Sequence, residues 1–149
     1  MSAPVIDGGI KAASLSFRGM LLRDAAVSFA YRSGAISGKG ERLTLSKGDA
    51  RVVVDDIDAS LGYHRGALEI ERLIVRAEDL LLRLEGRTDP ATGLDMSLHA
   101  ESTGNGKALS FLTSMPIEGV VGVEGRFSGA ITTPRFDGTL HAGPATVRG

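Results

Sequence analysis

Apolar and polar residues alternate along most of this chain of 149 residues. Leu45, for example, stands between Thr44 and Ser46, and Met96 stands between Asp95 and Ser97. Successive side chains of a β-strand point to opposite faces of the sheet, whereas a helix repeats its apolar residues every three or four positions. The period of two therefore predicts an all-β protein whose strands each carry one apolar face and one polar face.

Turn-forming residues interrupt this alternation about every ten residues. The predicted turns are Ser33-Gly34, Lys47-Gly48-Asp49, Asp55-Asp56, Arg65-Gly66, Glu78-Asp79, Asp89-Pro90 and Asp137-Gly138. Short strands at this spacing favour a meandering antiparallel sheet, a sandwich or a barrel. If about a dozen strands stayed in a single sheet, they would form a ribbon about 55 Å long at a spacing of ~4.8 Å.

One segment departs from the period of two. Residues 107–115 place Ala108, Phe111 and Leu112 on one side of a helix, and Pro116 ends the pattern. A helix of two turns is marginal alone in water, so this one must pack on an apolar surface. We expect it to cover one end of the sheet.

Charge and composition exclude several classes of partner and location. The 17 basic and 18 acidic residues give a net charge of −1 and form no basic run, so we expect no nucleic-acid partner. The chain has no cysteine, which excludes disulfides and thiolate metal sites. No apolar run is long enough to span a bilayer, and residues 1–9 do not resemble a signal peptide. If the natural protein is exported, we expect its signal or anchor outside this chain.

Residues arranged for catalysis are absent. His64, His99 and His141 are far apart in sequence and lie on the polar side of their segments, so the sequence predicts no metal site. The glycine-rich stretches match neither a P-loop nor a dinucleotide fingerprint, and no nucleophile elbow occurs. A small enzyme or sugar-binding domain would need convergent polar groups that the sequence does not offer. We therefore predict no catalytic residue, no cofactor and a function in binding.

The apolar strand faces remain as the candidate site, and two interpretations are open. In the first, the faces bury one another in a closed core, and the chain is a structural or adhesive β-repeat or β-sandwich module. In the second, the faces stay open and hold an apolar ligand. Low aromatic content, at 5% with no tryptophan, suits a smooth aliphatic trough.

Residues 116–149 carry a specific pattern of prolines, glycines and apolar residues. Its members are Pro116, Ile117, Gly119, Gly125, Phe127, Ser128, Gly129, Pro134, Phe136, Gly138 and Leu140. In these positions the chain resembles the repeating unit of the AsmA/TamB-like proteins of Gram-negative cell envelopes. The rest of the chain fits that family only through its alternation.

The resemblance implies a fold, a location and partners. The fold would be a long, curled antiparallel sheet, a β-groove or β-taco, with residues 1–149 forming a single segment of a longer repetitive chain. The groove would hold phospholipid acyl chains between the inner and outer membranes, or assist outer-membrane assembly, in the periplasm. Regions absent from this chain would contact the inner membrane and an outer-membrane β-barrel protein.

Under that interpretation, the apolar alternation selects the residues that line the groove. They are Val27, Phe29, Leu43, Leu45, Val52, Val54, Leu68, Ile70, Val75, Leu82, Leu84, Leu94, Met96, Leu98, Val121, Val123, Phe127, Phe136 and Leu140. A shift of one residue in register would move a whole strand's set to the other face.

Overall fold

The computed structural model describes residues 5–17, 19–102, 104, 106–113, 116–143 and 146–147. Nine strands form one antiparallel sheet that is not closed, with spatial neighbours following chain order. They are β1 (Val5–Phe17), β2 (Met20–Arg32), β3 (Ala35–Lys47), β4 (Ala50–His64), β5 (Ala67–Ala77), β6 (Leu80–Asp89), β7 (Gly93–Ser102), β9 (Val121–Ala130) and β10 (Thr133–Ala142). The predicted all-β, curled antiparallel meander with one short helix is confirmed.

The connection from β7 to β9 holds helix α1 and strand β8, whereas the last described strand, β11, follows β10. Helix α1 spans Lys107–Thr113, and β8 (Ile117–Glu118) pairs with β11 (Thr146–Val147) in a separate two-stranded sheet. The helix was predicted over residues 107–115; its last two predicted positions, 114 and 115, lie outside the described residues. Since β9 returns to pair with β7, the main sheet continues past this insertion without a gap.

Two of the predicted turns are wrong. Asp55-Asp56 lies inside β4, and Asp137-Gly138 lies inside β10. At the first position the alternation changes phase because β4 carries a bulge, and a bulge produces the same local sequence signal as a turn. The described residues form eleven strands, close to the predicted dozen, but nine of them form the main sheet and two form a separate pair.

The bulge in β4 belongs to a crease that crosses the first four strands. Pairing is interrupted at Ala13 in β1, Asp24 in β2, Arg42 in β3 and Asp55 in β4. Asp24 and Arg42 adopt positive φ angles of 56° and 38°. Bulged strands bend and twist more strongly, so an aligned row of irregular residues bends the sheet along one line. A separate register shift lies in β5, between Ile70 and Leu73.

Strand direction defines two ends of the sheet. The turns β3–β4 (Gly48-Asp49) and β5–β6 (Glu78-Asp79) lie at the end where the chain enters α1, which we call the helix end. The turns at Ser33-Gly34 and Arg65-Gly66 lie at the opposite end, which we call the far end.

Candidate functional site

All 19 residues predicted to line a groove lie on one face of the sheet, which we call the apolar face. Directly paired residues of an antiparallel sheet share a face, so the register assigns each strand in turn. One row of pairs, for example, joins Leu82, Ala100, Val123 and Leu140 across β6, β7, β9 and β10. In the strands that the crease crosses, the alternation of apolar and polar residues changes phase. Their apolar residues still lie on this face, because each change of phase coincides with a bulge or an unpaired position.

The apolar face is almost free of charge. Among the described strand residues that the register places on it, Lys47 is the only charged one, and it stands at the last position of β3. Thr88 and Ser102 are its other polar members apart from two tyrosines, and the Ser102 hydroxyl is fully buried and donates to Asp79 at 3.4 Å. The face therefore offers aliphatic surface across all nine strands.

At the helix end, this face is buried under α1. Ala108 and Phe111 of the helix join a cluster with Leu43, Val52 and Leu80 of the sheet. Ala108 is 1% exposed and Phe111 is 7% exposed. The expectation that the helix covers one end of the sheet is therefore confirmed by its position.

Towards the far end, no second layer covers the apolar face among the described residues. The described elements outside the main sheet are α1, β8 and β11, and α1 contacts β4 and β8. The side chains of Phe29, Leu68, Ile70, Leu84 and Met96 are half-buried there, although they belong to interior strands. Each is screened by its neighbours in the sheet and leaves part of its apolar surface in water.

Both edge strands carry strongly exposed apolar residues. Ile6 and Leu15 of β1 are 54% and 59% exposed, and Phe136 and Leu140 of β10 are 44% and 65% exposed. Two of these four, Phe136 and Leu140, were among the predicted groove residues. They lie on the predicted face but at its margin.

At three glycines of the apolar face, a phenylalanine ring lies flat against the backbone. The ring of Phe136 lies over Gly125 and Gly138, and the ring of Phe29 lies over Gly8, so that a Cβ at any of these glycines would contact the ring. Phe136 also packs against Phe127, with ring centroids 4.8 Å apart and planes inclined by 45°. Rings that lie down over glycines cover exposed backbone, and they do not rise as ridges across the face.

The opposite, polar face is held by ion pairs between neighbouring strands. Asp56 pairs with Arg76 at 3.0 Å, and the guanidinium of Arg126 contacts both carboxylate oxygens of Asp95 at 2.6 Å. The hydrogen bond from Arg126 is the main reason that the pKa of Asp95 lies below its ordinary value. His99 Nδ1 lies 3.0 Å from a carboxylate oxygen of Glu124. All three histidines lie on this face, as predicted, and the described residues form no group of three metal ligands.

Depressions occur on both sides of the sheet. A cleft of about 1010 Å³ beside α1 is lined by Phe111 and Ile117, with Lys47, Arg51 and Glu118 at its rim. A smaller depression of about 550 Å³ lies among the charged side chains of the polar face, including Arg83, Glu85 and His99. Neither brings together a nucleophile and a base in the arrangement that catalysis by acyl transfer requires.

Sequence reasoning omitted several residues that the register also places on the apolar face. They are Ile6, Leu15, Met20, Leu22, Tyr31, Ile36, Ile57, Leu61, Tyr63 and Leu73. These residues do alternate with polar ones in the sequence. However, Ile57 and Leu73 follow bulges, and a bulge changes the phase of the alternation. The cross-strand register is therefore needed to assign Ile57 and Leu73 to a face.

Comparison with known proteins gives no assignment. No family model, curated protein or solved structure matches the chain.

None of the described helices has the length and apolar content needed to cross a membrane.

Proposed function

We propose that the apolar face binds the acyl chains of phospholipids, and that the chain is a segment of an envelope lipid-transport bridge of the AsmA/TamB-like kind. The observation that carries this proposal is the apolar face itself, on which Lys47 is the single charged residue among the described strand residues. The face runs across nine strands and is covered by α1 at the helix end. Monomeric soluble proteins seldom expose contiguous apolar surface beyond a few hundred Å², and larger patches mark binding sites.

The dimensions of the sheet suit a long apolar ligand. Nine strands at about 4.8 Å make the sheet roughly 38 Å wide when measured along its surface. Each methylene group that the surface buries fully contributes roughly 0.8 kcal/mol. Because Leu84, Leu98 and their neighbours present similar aliphatic surface, adjacent positions differ little in affinity, and a bound chain meets no charged barrier between strands.

The alternative, a structural module with a closed core, would need a second layer over the far end. In the described part of the chain the elements outside the main sheet are short, and α1 lies at the helix end. This favours an apolar ligand over a self-sealed core. Among the described residues, neither depression aligns a nucleophile with a base, and this favours binding over catalysis.

Mass spectrometry of lipids extracted from the purified protein tests the proposal directly. We expect co-purifying phospholipids, and fewer of them from a Met96→Asp variant, since a carboxylate would stand in the middle of the apolar face. Ser97→Asp places the same charge one residue later on the polar face and is the matched control. Equal lipid content in the two variants would contradict the proposal.

Photocrosslinking gives a second readout that does not depend on copurification. A benzophenone amino acid at position 96 should form acyl-chain adducts with phospholipid vesicles, whereas the same group at position 97 should not. A protein that carries no lipid and forms no adduct at position 96 would count against lipid binding.

Cell fractionation tests the envelope location. Recovery of the protein outside the periplasm would count against that location.

A further inference from the structure

Among the described residues, strand β10 is an unpaired edge of the main sheet. It pairs with β9 on one side, and all ten of its residues are exposed. The chain turns away after Ala142, since Gly143 donates a backbone hydrogen bond to Val120 and β11 pairs with β8. The outer backbone groups of β10 are thus available to another strand, and such edges are templates for pairing between chains.

We propose that β10 pairs with β10 of a second copy of this chain, antiparallel and about a two-fold axis. An axis that relates two antiparallel neighbouring strands stands perpendicular to the sheet, so both copies keep their apolar faces on the same side. A two-fold axis along the strands would instead make parallel neighbours and turn one apolar face to the polar side. The two-faced character of the sheet therefore selects the antiparallel arrangement.

Charge selects the register within that arrangement. Arg135 and Asp137 flank Phe136 on the polar side of β10, and neither has an ion-pair partner among the described residues. If the axis passes through Phe136, each Arg135 faces Asp137 of the other copy, which forms two symmetric ion pairs. An axis through Asp137 would place two carboxylates opposite each other, and an axis through Gly138 would leave Arg135 opposite His141.

The other free edge is less suited to such pairing. Strand β1 carries Lys11 near its middle, on the polar side and exposed. A lysine and a bulge on an edge strand both discourage pairing with another chain, and β1 has both, because the crease interrupts it at Ala13. Strand β10 has one such feature, Pro134 near its start, but its register is unbroken from Thr133 to Ala142. Pairing through β10 would join two apolar faces into one surface of eighteen strands, since each sheet has nine. The inference rests on the backbone edge and its charges, and it holds whatever the apolar face binds.

Charge reversal and its restoration test the pairing. Sedimentation equilibrium should show a dimer for the natural protein, and Arg135→Glu or Asp137→Arg should each raise its dissociation constant by about tenfold or more, because each change places like charges opposite each other twice. The double variant Arg135→Asp with Asp137→Arg should restore the dimer. Lys11→Glu is the matched control on β1 and should leave the dissociation constant unchanged.

The absence of natural cysteine allows a test of the register. A cysteine introduced by Phe136→Cys lies on the proposed axis and should form an intermolecular disulfide on mild oxidation. Leu140→Cys should not, because the two equivalent residues would lie about 27 Å apart along the strands. A monomer at all concentrations, a dimer insensitive to both charge reversals, or open-ended oligomers weakened by Lys11→Glu would overturn the proposal.

Discussion

The carboxylate of Asp79, in the turn between β5 and β6, accepts a 3.0 Å hydrogen bond from the backbone amide of Lys107, the first residue of α1. It also accepts a bond of 3.2 Å from the amide of Ala108. The helix carries no acidic residue in its own first turn, so a residue from a distant turn serves as its N-terminal cap. The same carboxylate accepts a hydrogen bond from the buried hydroxyl of Ser102, at the end of β7, and so connects the helix to the sheet.

Replacement of Asp79 by alanine should release α1 from the helix end. We expect a loss of about 1–2 kcal/mol in the free energy of unfolding, the usual effect of removing a helix cap. Hydrogen exchange of the backbone amides at Lys107 and Ala108 should accelerate. Asp49→Ala, in the exposed turn between β3 and β4, is the control. Equal exchange rates in both variants would show that the cap does not hold the helix.

Adjacent leucines at the start of β6 test the assignment of faces. Leu80 is 5% exposed beneath α1, whereas Leu81 is half-buried on the polar face. Leu80→Ala should lower the free energy of unfolding by about 2–4 kcal/mol, because it leaves a cavity in the core cluster. Leu81→Ala should cost about 1 kcal/mol or less. Denaturant titration measures both, and similar losses would contradict the assigned register.

A pair of glycines on β9 tests the packing of the phenylalanine rings. A Cβ at Gly125 would meet the ring of Phe136 and stand 2.8 Å from the carbonyl oxygen of Asp137, whereas a Cβ at Gly122 would stand 3.8 Å from its nearest neighbour, His141. We expect Gly125→Ala to destabilise by about 1–3 kcal/mol through crowding. Gly122→Ala should be neutral or slightly stabilising by thermal denaturation. The reverse order would show that the ring does not occupy this position.

The ion pair between Asp95 and Arg126 predicts a dependence on pH. Because the pKa of Asp95 is lowered in the folded protein, its contribution to stability is complete above its ordinary pKa, near 3.8. That contribution is lost as the pH falls through the lower, folded value. Carboxyl NMR titration of Arg126→Gln should show the pKa of Asp95 raised towards its ordinary value.

Asp89 provides an internal control for that titration. The pKa of Asp89 is also lowered, chiefly by a hydrogen bond from the backbone amide of Ala91, so Arg126→Gln should leave it unchanged. An unchanged pKa for Asp95 in the variant would show that Arg126 is not the cause.

Strand β4 shows how far the sequence predicted the fold. Alternation placed Val52 and Val54 on the same face of the sheet, because side-chain direction follows from strand geometry alone. The break at Asp55-Asp56 was read as a turn, since a change of phase has the same sequence pattern in a turn and in a bulge. Only the alignment of Asp55 with Arg42 and Asp24 in neighbouring strands distinguishes them.

The sequence by itself determined that the chain forms strands with one apolar side, and that a short helix must rest on that side. Both follow from local periodicity, which is a property of neighbouring residues. The tertiary structure alone decided that nine strands stay in one open sheet and that Asp79 fixes α1 over one end. It also decided that Leu84 and Met96 remain half-buried at the other end. These outcomes depend on contacts between residues far apart in the chain, for which alternation carries no information.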